Sequence, residues 1–342
     1  MDRRLSINQI AELAGCSVAT ISRVINNRGG YSKETQEKVE RLIQEYNYLP
    51  NANASGLRTK RSHSIGVMVP DITNEFFAKI IRELDLFFLK HNYVLLICDS
   101  NEDSRLENMH LDNLIKKNVD GIIYISGQDE IKNMGHFTIP VVYVDRSPEN
   151  AEVVIHSDNV QGGYLAAKEL ASKGCKRILF FGDLRYRSPV RRRREGYRKA
   201  LEEAGLPYGG DLEICTYPDY ESAKKKMAEV LREKGCYFDG VFTTNDMMAL
   251  GTIHALEDNG YKVPDHVKVV GFDNISMSEF CNPPITTIAQ DTKGLAVKSG
   301  EALMKMIQNK GRLKKKKIII PVSLKERKST AETGVLTYSS ES

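Results

Sequence analysis

No stretch of this 342-residue chain approaches the ~20 consecutive apolar residues that span a bilayer, and its longest apolar runs, such as YVLLIC, are strand-sized. The amino terminus, MDRRLSINQIAELAG, has no apolar segment followed by a small-residue cleavage site, so export is not expected. Cysteine is sparse and dispersed. Cys16, Cys98, Cys175, Cys215, Cys236 and Cys281 form no C-x-x-C pair and have no histidine at zinc spacing. They read as reduced thiols of a cytoplasmic protein, with neither a disulfide framework nor a metal site. G-x-G-x-x-G, P-loop, H-E-x-x-H and G-x-S-x-G motifs are all missing, and no Ser/His/Asp set can be assembled from spacing. The tail after Thr330, AETGVLTYSSES, lacks the leucine heptads that would support a tetramer, which leaves a dimer as the expectation.

What is present is globular. Hydrophobic residues are 41% and charged residues 27%, which suits a real core, and at about 150 residues per domain the length predicts two to three domains. The net charge of +4 is unevenly placed. Residues 1–61 hold ten Lys+Arg against six Asp+Glu, and the remaining 281 residues hold 39 of each. A basic head on a neutral body points towards nucleic acid.

Three short helical patterns fit the head. Ser6 and Gln9 form a capping box before an Ile10, Ala11, Leu13, Ala14 stripe, which Gly15 breaks. Ser17 caps a second helix with Ile21, Val24 and Ile25 on one face, and Ser32 caps a third with a Val39, Leu42, Ile43, Tyr46 stripe. A helix, a tight turn and a second short helix make a helix-turn-helix. The outer face of the second helix carries Ala19, Ser22, Arg23 and Asn26, small or hydrogen-bonding residues that suit a major groove. Arg23 can grip a guanine edge or a phosphate, and Ser17 and Thr20 suit phosphates. Periodicity alone leaves a plain three-helix packing module equally open.

The run INQIAELAGCSVATISRVINN strongly resembles the amino-terminal signature of the LacI/GalR family of bacterial transcription repressors. The resemblance implies that Val18, Ala19 and Arg23 read bases of double-stranded DNA. Residues 48–64, YLPNANASGLRTKRSHS, are small, polar and basic, and read alone they are a linker too short and glycine-containing for a stable isolated helix. They resemble the family's hinge, which implies a segment that becomes helical on operator DNA, with Leu57 as an apolar wedge in the minor groove. Ser55 and Gly56 depart from the family pattern there.

From Ser64 onward, short apolar strands alternate with helices, the pattern of parallel α/β sheets covered on both faces, and about 260 residues suffice for two doubly wound subdomains. Ligands of such sheets bind at the carboxyl ends of strands. Those ends carry Asp71 to Phe77, Asp145-Arg146, Asn245-Asp246, Asp273-Asn274 and Gln290-Asp291, and the loop before the helix around Arg192 adds Arg187 and the run Arg191 to Arg194. Carboxylates, amides and guanidinium groups beside aromatic rings suit a sugar. Three of the four consecutive arginines are expected in solvent, as is the Lys314 to Lys317 run, on a loop and sheet edge.

The body resembles the family's effector domain, itself similar to periplasmic sugar-binding proteins, through VPDITNEFF, Val144 to Arg146, SDNVQGGYLAAKEL, RRREGYRKAL, TNDMMALG, VVGFDN and TTIAQD. The resemblance implies that Phe76, Phe77, Arg146, Arg193, Asn245, Asp273 and Gln290 face the effector. The Asp145-Arg146 pair is most similar to ribose- and sucrose-type repressors. Glu75 stands where the family often has proline.

The expected architecture is an all-α helix-turn-helix head (1–50), a hinge (51–62), an α/β periplasmic-binding-protein-like effector body of two doubly wound parallel-sheet subdomains (63–330) and a polar tail (331–342). The amino-terminal subdomain takes about 63–160 and 293–321, the carboxy-terminal one about 161–292 and 322–330. The expected function is a cytoplasmic, nucleoid-associated homodimeric repressor of carbohydrate-utilisation genes, bound to a near-palindromic operator and controlled by a small sugar, with no cofactor, no membrane and no enzymatic activity. A sugar phosphate, a nucleobase or a protein corepressor are alternative effectors. A sugar-binding protein without regulatory role would have no use for the head, and a sugar-modifying enzyme would have only Asp145 and Asp273 as acid or base candidates.

Overall fold

The computed structural model describes residues 5–25, 27–48, 61–125, 139–148, 151–185, 187–309 and 315–331. The chain divides into two compact units, Met1–Ser62 and His63–Ser342.

The first unit holds α1 (Ile7–Ala14), α2 (Val18–Ile25) and α3 (Lys33–Glu45). The expected capping box is present: the Ser6 hydroxyl accepts from the Gln9 N–H, and the Gln9 amide oxygen accepts from the Ser6 N–H at 2.8 Å. Gly15 ends α1 at φ 65°, a left-handed turn that suits glycine. Ile10, Ala11, Ala14, Ile21, Val24 and Val39 close the core. Two expectations fail: Leu13, expected in the stripe of α1, is 46% exposed because only Ile10, Ala11 and Ala14 face the other helices, and the stripe of α3 ends differently. Tyr46 is 42% exposed, and Tyr48 is buried in its place. Asn47 turns left-handed at φ 46°, and the Tyr48 N–H folds back on the Ile43 carbonyl at 2.9 Å, so the helical stripe stops one turn early.

The second unit has two six-stranded sheets. The first is ordered β11-β5-β4-β3-β1-β2, all parallel, from β1 (Ser64–Val69), β2 (Val94–Asp99), β3 (Gly121–Tyr124), β4 (Val141–Val144), β5 (Val153–Ser157) and β11 (Lys316–Ile320). Helices α4 (Glu75–Leu89) and α11 (Thr292–Gln308) pack on one face, α5 (Ser104–Lys116) on the other. Lys316 and Lys317 are exposed on the edge strand, as expected; Lys314 lies outside the described residues.

The second sheet is ordered β12-β10-β9-β8-β6-β7, from β6 (Ile178–Asp183), β7 (Glu213–Thr216), β8 (Gly240–Thr243), β9 (Lys268–Asp273), β10 (Thr286–Gln290) and β12 (Val322–Lys325). Only β12 runs antiparallel, against β10. Helices α6 (Asn159–Ser172) and α7 (Ser188–Glu203) cover one face, and α8 (Tyr220–Lys234) and α9 (Asp246–Asp258) the other. A short α10 (Met277–Phe280) follows β9. The chain crosses between the sheets three times: after β5, after β10 and between β11 and β12.

Two glycines set how closely α6 and α7 approach. A Cβ on Gly163 would collide with the Arg193 carbonyl oxygen, and one on Gly196 with the Val160 carbonyl and the Tyr164 amide. These are backbone atoms that no rotamer change can move. Gly196→Ala is therefore expected to cost at least the ~1–3 kcal/mol of an overpacked core, read as a lower urea midpoint with unchanged slope. It should also displace Arg193, which α7 carries.

Candidate functional site

In the head, Val18, Ala19 and Arg23 are exposed on α2, opposite buried Ile21 and Val24. The Ser17 hydroxyl is drawn into the helix cap, accepting from the Thr20 N–H at 3.1 Å and lying 3.0 Å from the Thr20 hydroxyl. Both residues still sit at the first turn of α2, where open N–H groups attract phosphate. Asn26 and Leu57 lie outside the described residues.

In the body, the carboxyl ends of the two sheets enclose a cavity of about 350 Å³. From the first sheet's loops come Asp71, Asn74, Phe76, Phe77, Glu102, Asp145 and Arg146; from the second's come Asp183, Arg185, Arg187, Arg193, Asn245 and Asp273. The Phe76 and Phe77 rings are 5.2 Å apart, and the Arg146 guanidinium lies 5.7 Å from the Phe77 ring centre. Arg146 donates to Glu102 Oε1 at 2.7 Å, and Arg185 reaches the same oxygen at 3.0 Å from the opposite side.

Arg193 is the buried centre. It donates from Nε to Asn159 at 2.8 Å and from Nη1 to the Thr244 carbonyl at 2.5 Å, with its guanidinium 3.6 Å above the Phe272 ring. Its Nη2 is 3.8 Å from Asp273 Oδ1, too long for a hydrogen bond, so this edge can still donate to a ligand oxygen. Burial pushes the Asp273 carboxyl up to about 7, with Arg193 pulling against it. Behind it, burial reinforced by the Asp273 charge pushes Asp246 up to about 8. Asp246 belongs to the scaffold: it accepts from the Thr287 hydroxyl and, at 2.9 Å, from the Ile275 N–H.

Two polar atoms in the cavity wall are buried without a hydrogen-bond partner, Asp145 Oδ1 and Arg187 Nε. Asp145 and Asp273 both turn left-handed, at φ 62° and 105°, local strain of the kind found where side chains are aimed at ligands.

Six of the seven effector residues taken from the sequence line this cavity; Gln290 does not. It sits one layer behind, its amide donating to Asp273 Oδ1 at 2.7 Å, so it orients Asp273. Asn245 lines the wall but spends its amide on the scaffold, donating to the Pro218 carbonyl at 2.9 Å and capping α9 through the Met248 N–H at 2.7 Å. The Arg191 to Arg194 expectation is corrected. Arg191 alone is exposed; Arg193 is buried, Arg192 donates to His156 at 2.8 Å and Arg194 to Glu213 at 2.6 Å. Consecutive residues on a helix point about 100° apart, so one run serves solvent, cavity and scaffold at once.

Known proteins similar to this chain in sequence and in structure agree on a family. Residues 6–51 match the family described as "Bacterial regulatory proteins, lacI family", and residues 167–330 a "Periplasmic binding protein-like domain". The HTH-type transcriptional regulator DegA of Bacillus subtilis (strain 168) is 33% identical over 96% of this chain and 98% of its own. The HTH-type transcriptional repressor PurR of Pasteurella multocida (strain Pm70) is 34% identical over 89% and 92%. The chain belongs to the LacI family of bacterial transcriptional regulators.

Among solved structures, a lac repressor dimer bound to operator and an anti-inducer superposes with a TM-score of 0.87 at 26% identity, covering 96% of this chain and all of the other. A LacI-family regulator from Enterococcus faecium with bound ribose reaches 0.70 at 30% identity, covering 78% and 98%. As a LacI-family protein this chain is a DNA-binding transcriptional repressor and not an enzyme. Among its described residues no helix is long and apolar enough to cross a membrane.

Sequence reasoning missed Glu102, Asp183, Arg185 and Asn159 in this LacI-family body. Asp183 ends β6, so the strand-end rule could have found it. Glu102 carried no such signal, because it enters the cavity from a loop bent by two left-handed residues, Asn101 and Glu102 at φ 46° and 56°. Glu75, the departure from proline, bridges the two halves of the body. It accepts from the Ser276 N–H and hydroxyl at 2.8 and 2.7 Å, while Lys79 donates to the Asn274 carbonyl at 3.2 Å.

Proposed function

We propose that this chain represses carbohydrate-utilisation genes as a cytoplasmic homodimer on a near-palindromic operator, and that a small sugar held between the two sheets of the body controls its affinity for DNA. The observation that carries the effector class is the pair of orphaned atoms in the cavity wall. Asp145 Oδ1 lacks a donor and Arg187 Nε lacks an acceptor. Buried polar groups without partners are costly, and hydroxyl groups, which both donate and accept, satisfy both kinds. The Phe76 and Phe77 rings supply the apolar surface that covers a sugar's C–H face.

The ribose bound to the Enterococcus faecium regulator supports a sugar. The PurR relatives make a nucleobase the competing effector. A purine needs flat apolar walls on both faces, whereas this cavity is ringed by charged and amide side chains. Two heads in a two-fold dimer read two half-sites, and a ligand that prefers one arrangement of the body shifts operator affinity by its differential binding.

The test is a thermal-shift screen of the purified protein against pentoses, hexoses, sucrose, their phosphates and purine bases. A ligand at 100 times its Kd stabilises by about 2.7 kcal/mol per site, a clear rise in melting temperature. A free-sugar response that also moves operator affinity is expected. A response to purine bases alone would overturn the sugar reading.

A further inference from the structure

We infer that Glu102 sets the charge class of the effector: it neutralises the two arginines that face each other across the cavity, so the site takes an uncharged polyhydroxy ligand and rejects a phosphorylated one. This deepens the sugar reading and rests on the cavity being the effector site.

Four guanidinium groups line one cavity, which by itself would suit a phosphate. Their pairing argues otherwise. Arg146 and Arg185 approach from opposite sheets and converge on one oxygen, Glu102 Oε1, at 2.7 and 3.0 Å. A phosphate oxygen bridging two arginines would occupy that same place. Arg185 is also gripped from behind by Asp183, accepting from Nε at 3.0 Å and from Nη2 at 2.8 Å. Arg193 faces Asp273. Among the described residues only Arg187 lacks an acidic partner in the cavity.

The backbone that carries Glu102 is anchored. Its N–H donates to the Pro70 carbonyl at 3.1 Å, the Asn101 N–H to Asp99 Oδ1 at 3.0 Å and the Asp103 N–H to the Ser100 carbonyl at 2.8 Å, while Asp103 caps α5. Both Asn101 and Glu102 hold left-handed backbone to deliver the carboxylate. A phosphate would therefore enter beside a carboxylate whose backbone is anchored and which already pairs with both arginines, in a confined cavity where like charges repel strongly. A hydroxyl group meets no such penalty.

The experiment titrates inorganic phosphate, at constant ionic strength, into the full chain and into Glu102→Gln. Glutamine keeps the side chain's length and removes its charge, and Asp183 still holds Arg185. The wild type is expected to show no saturable phosphate binding at millimolar concentration. Glu102→Gln should acquire it, or bind at least about tenfold more tightly. Saturable phosphate binding by the wild type, or no gain in a folded variant, overturns the inference. If the variant does not fold, each sugar that stabilises the wild type is compared with its own phosphate, and tighter binding of the phosphate overturns it equally. The two readings fail separately. A phosphate gain without any sugar response removes the sugar and leaves the role of Glu102, whereas a sugar response without a phosphate gain does the reverse.

Discussion

Arg23→Ala should abolish operator discrimination and leave effector binding intact. Arg23 is exposed on α2; its backbone carbonyl accepts from the Arg28 N–H at 2.9 Å, but its side chain makes no hydrogen bond or ion pair among the described residues. Its truncation is thus a surface change, expected within about 0.5 kcal/mol of neutral for stability. On DNA the same side chain can form a bidentate pair with a guanine edge, worth about 1–3 kcal/mol against the wrong base. Two heads double that to roughly 2–6 kcal/mol, or about 30-fold to 10⁴-fold in affinity for the cognate site. Titration of labelled operator and of a scrambled duplex reads the effect. Preferential loss on the operator supports base reading. An equal loss on both duplexes, with a shallower salt dependence, would assign Arg23 to a phosphate instead.

The second large effect is expected at Arg193. Its guanidinium ties α7 to Asn159 and to the loop after β8, faces Asp273 at 3.8 Å and stacks on the Phe272 ring. Removing one partner of a buried charged network costs about 3–5 kcal/mol, because the other partner stays buried and uncompensated. Arg193→Ala should therefore lower the melting temperature of the body and abolish effector response together. Asp273→Asn separates these effects. Its amide keeps the shape and can still meet Gln290, and Arg193 keeps Asn159 and the Thr244 carbonyl, so the loss of stability should be smaller than in Arg193→Ala, while the charged acceptor offered to a ligand is lost. Full effector affinity in folded Asp273→Asn would show that the ligand does not use this carboxylate. The head needs neither residue, so operator binding without effector should survive in Asp273→Asn.

The sequence by itself determined the order of the parts. Capping residues at Ser6, Ser17 and Ser32, the break at Gly15 and the stripes between them specify the helices of the head, because caps and periodicity are local properties. Alternation of apolar strands with helices specifies the α/β body, and the strand-end rule places Asp145, Arg146, Asn245 and Asp273 on one cavity, where they lie.

Tertiary structure alone decided which of these side chains are free to meet a ligand. Gln290 and Asn245 look equivalent to Asp273 in sequence, yet the Gln290 amide nitrogen is spent on Asp273 and the Asn245 side chain on the Pro218 carbonyl and the cap of α9, and only through-space neighbours reveal it. Four consecutive arginines read as one charged run and resolve into separate environments once the helix is packed. Glu102 meets Arg146 and Arg185 from 44 and 83 positions away along the chain, through a left-handed loop that no periodicity signals. Local patterns fix where elements begin and end. The charge a ligand meets depends on contacts between elements far apart in sequence, and those exist only after the two sheets have closed on each other.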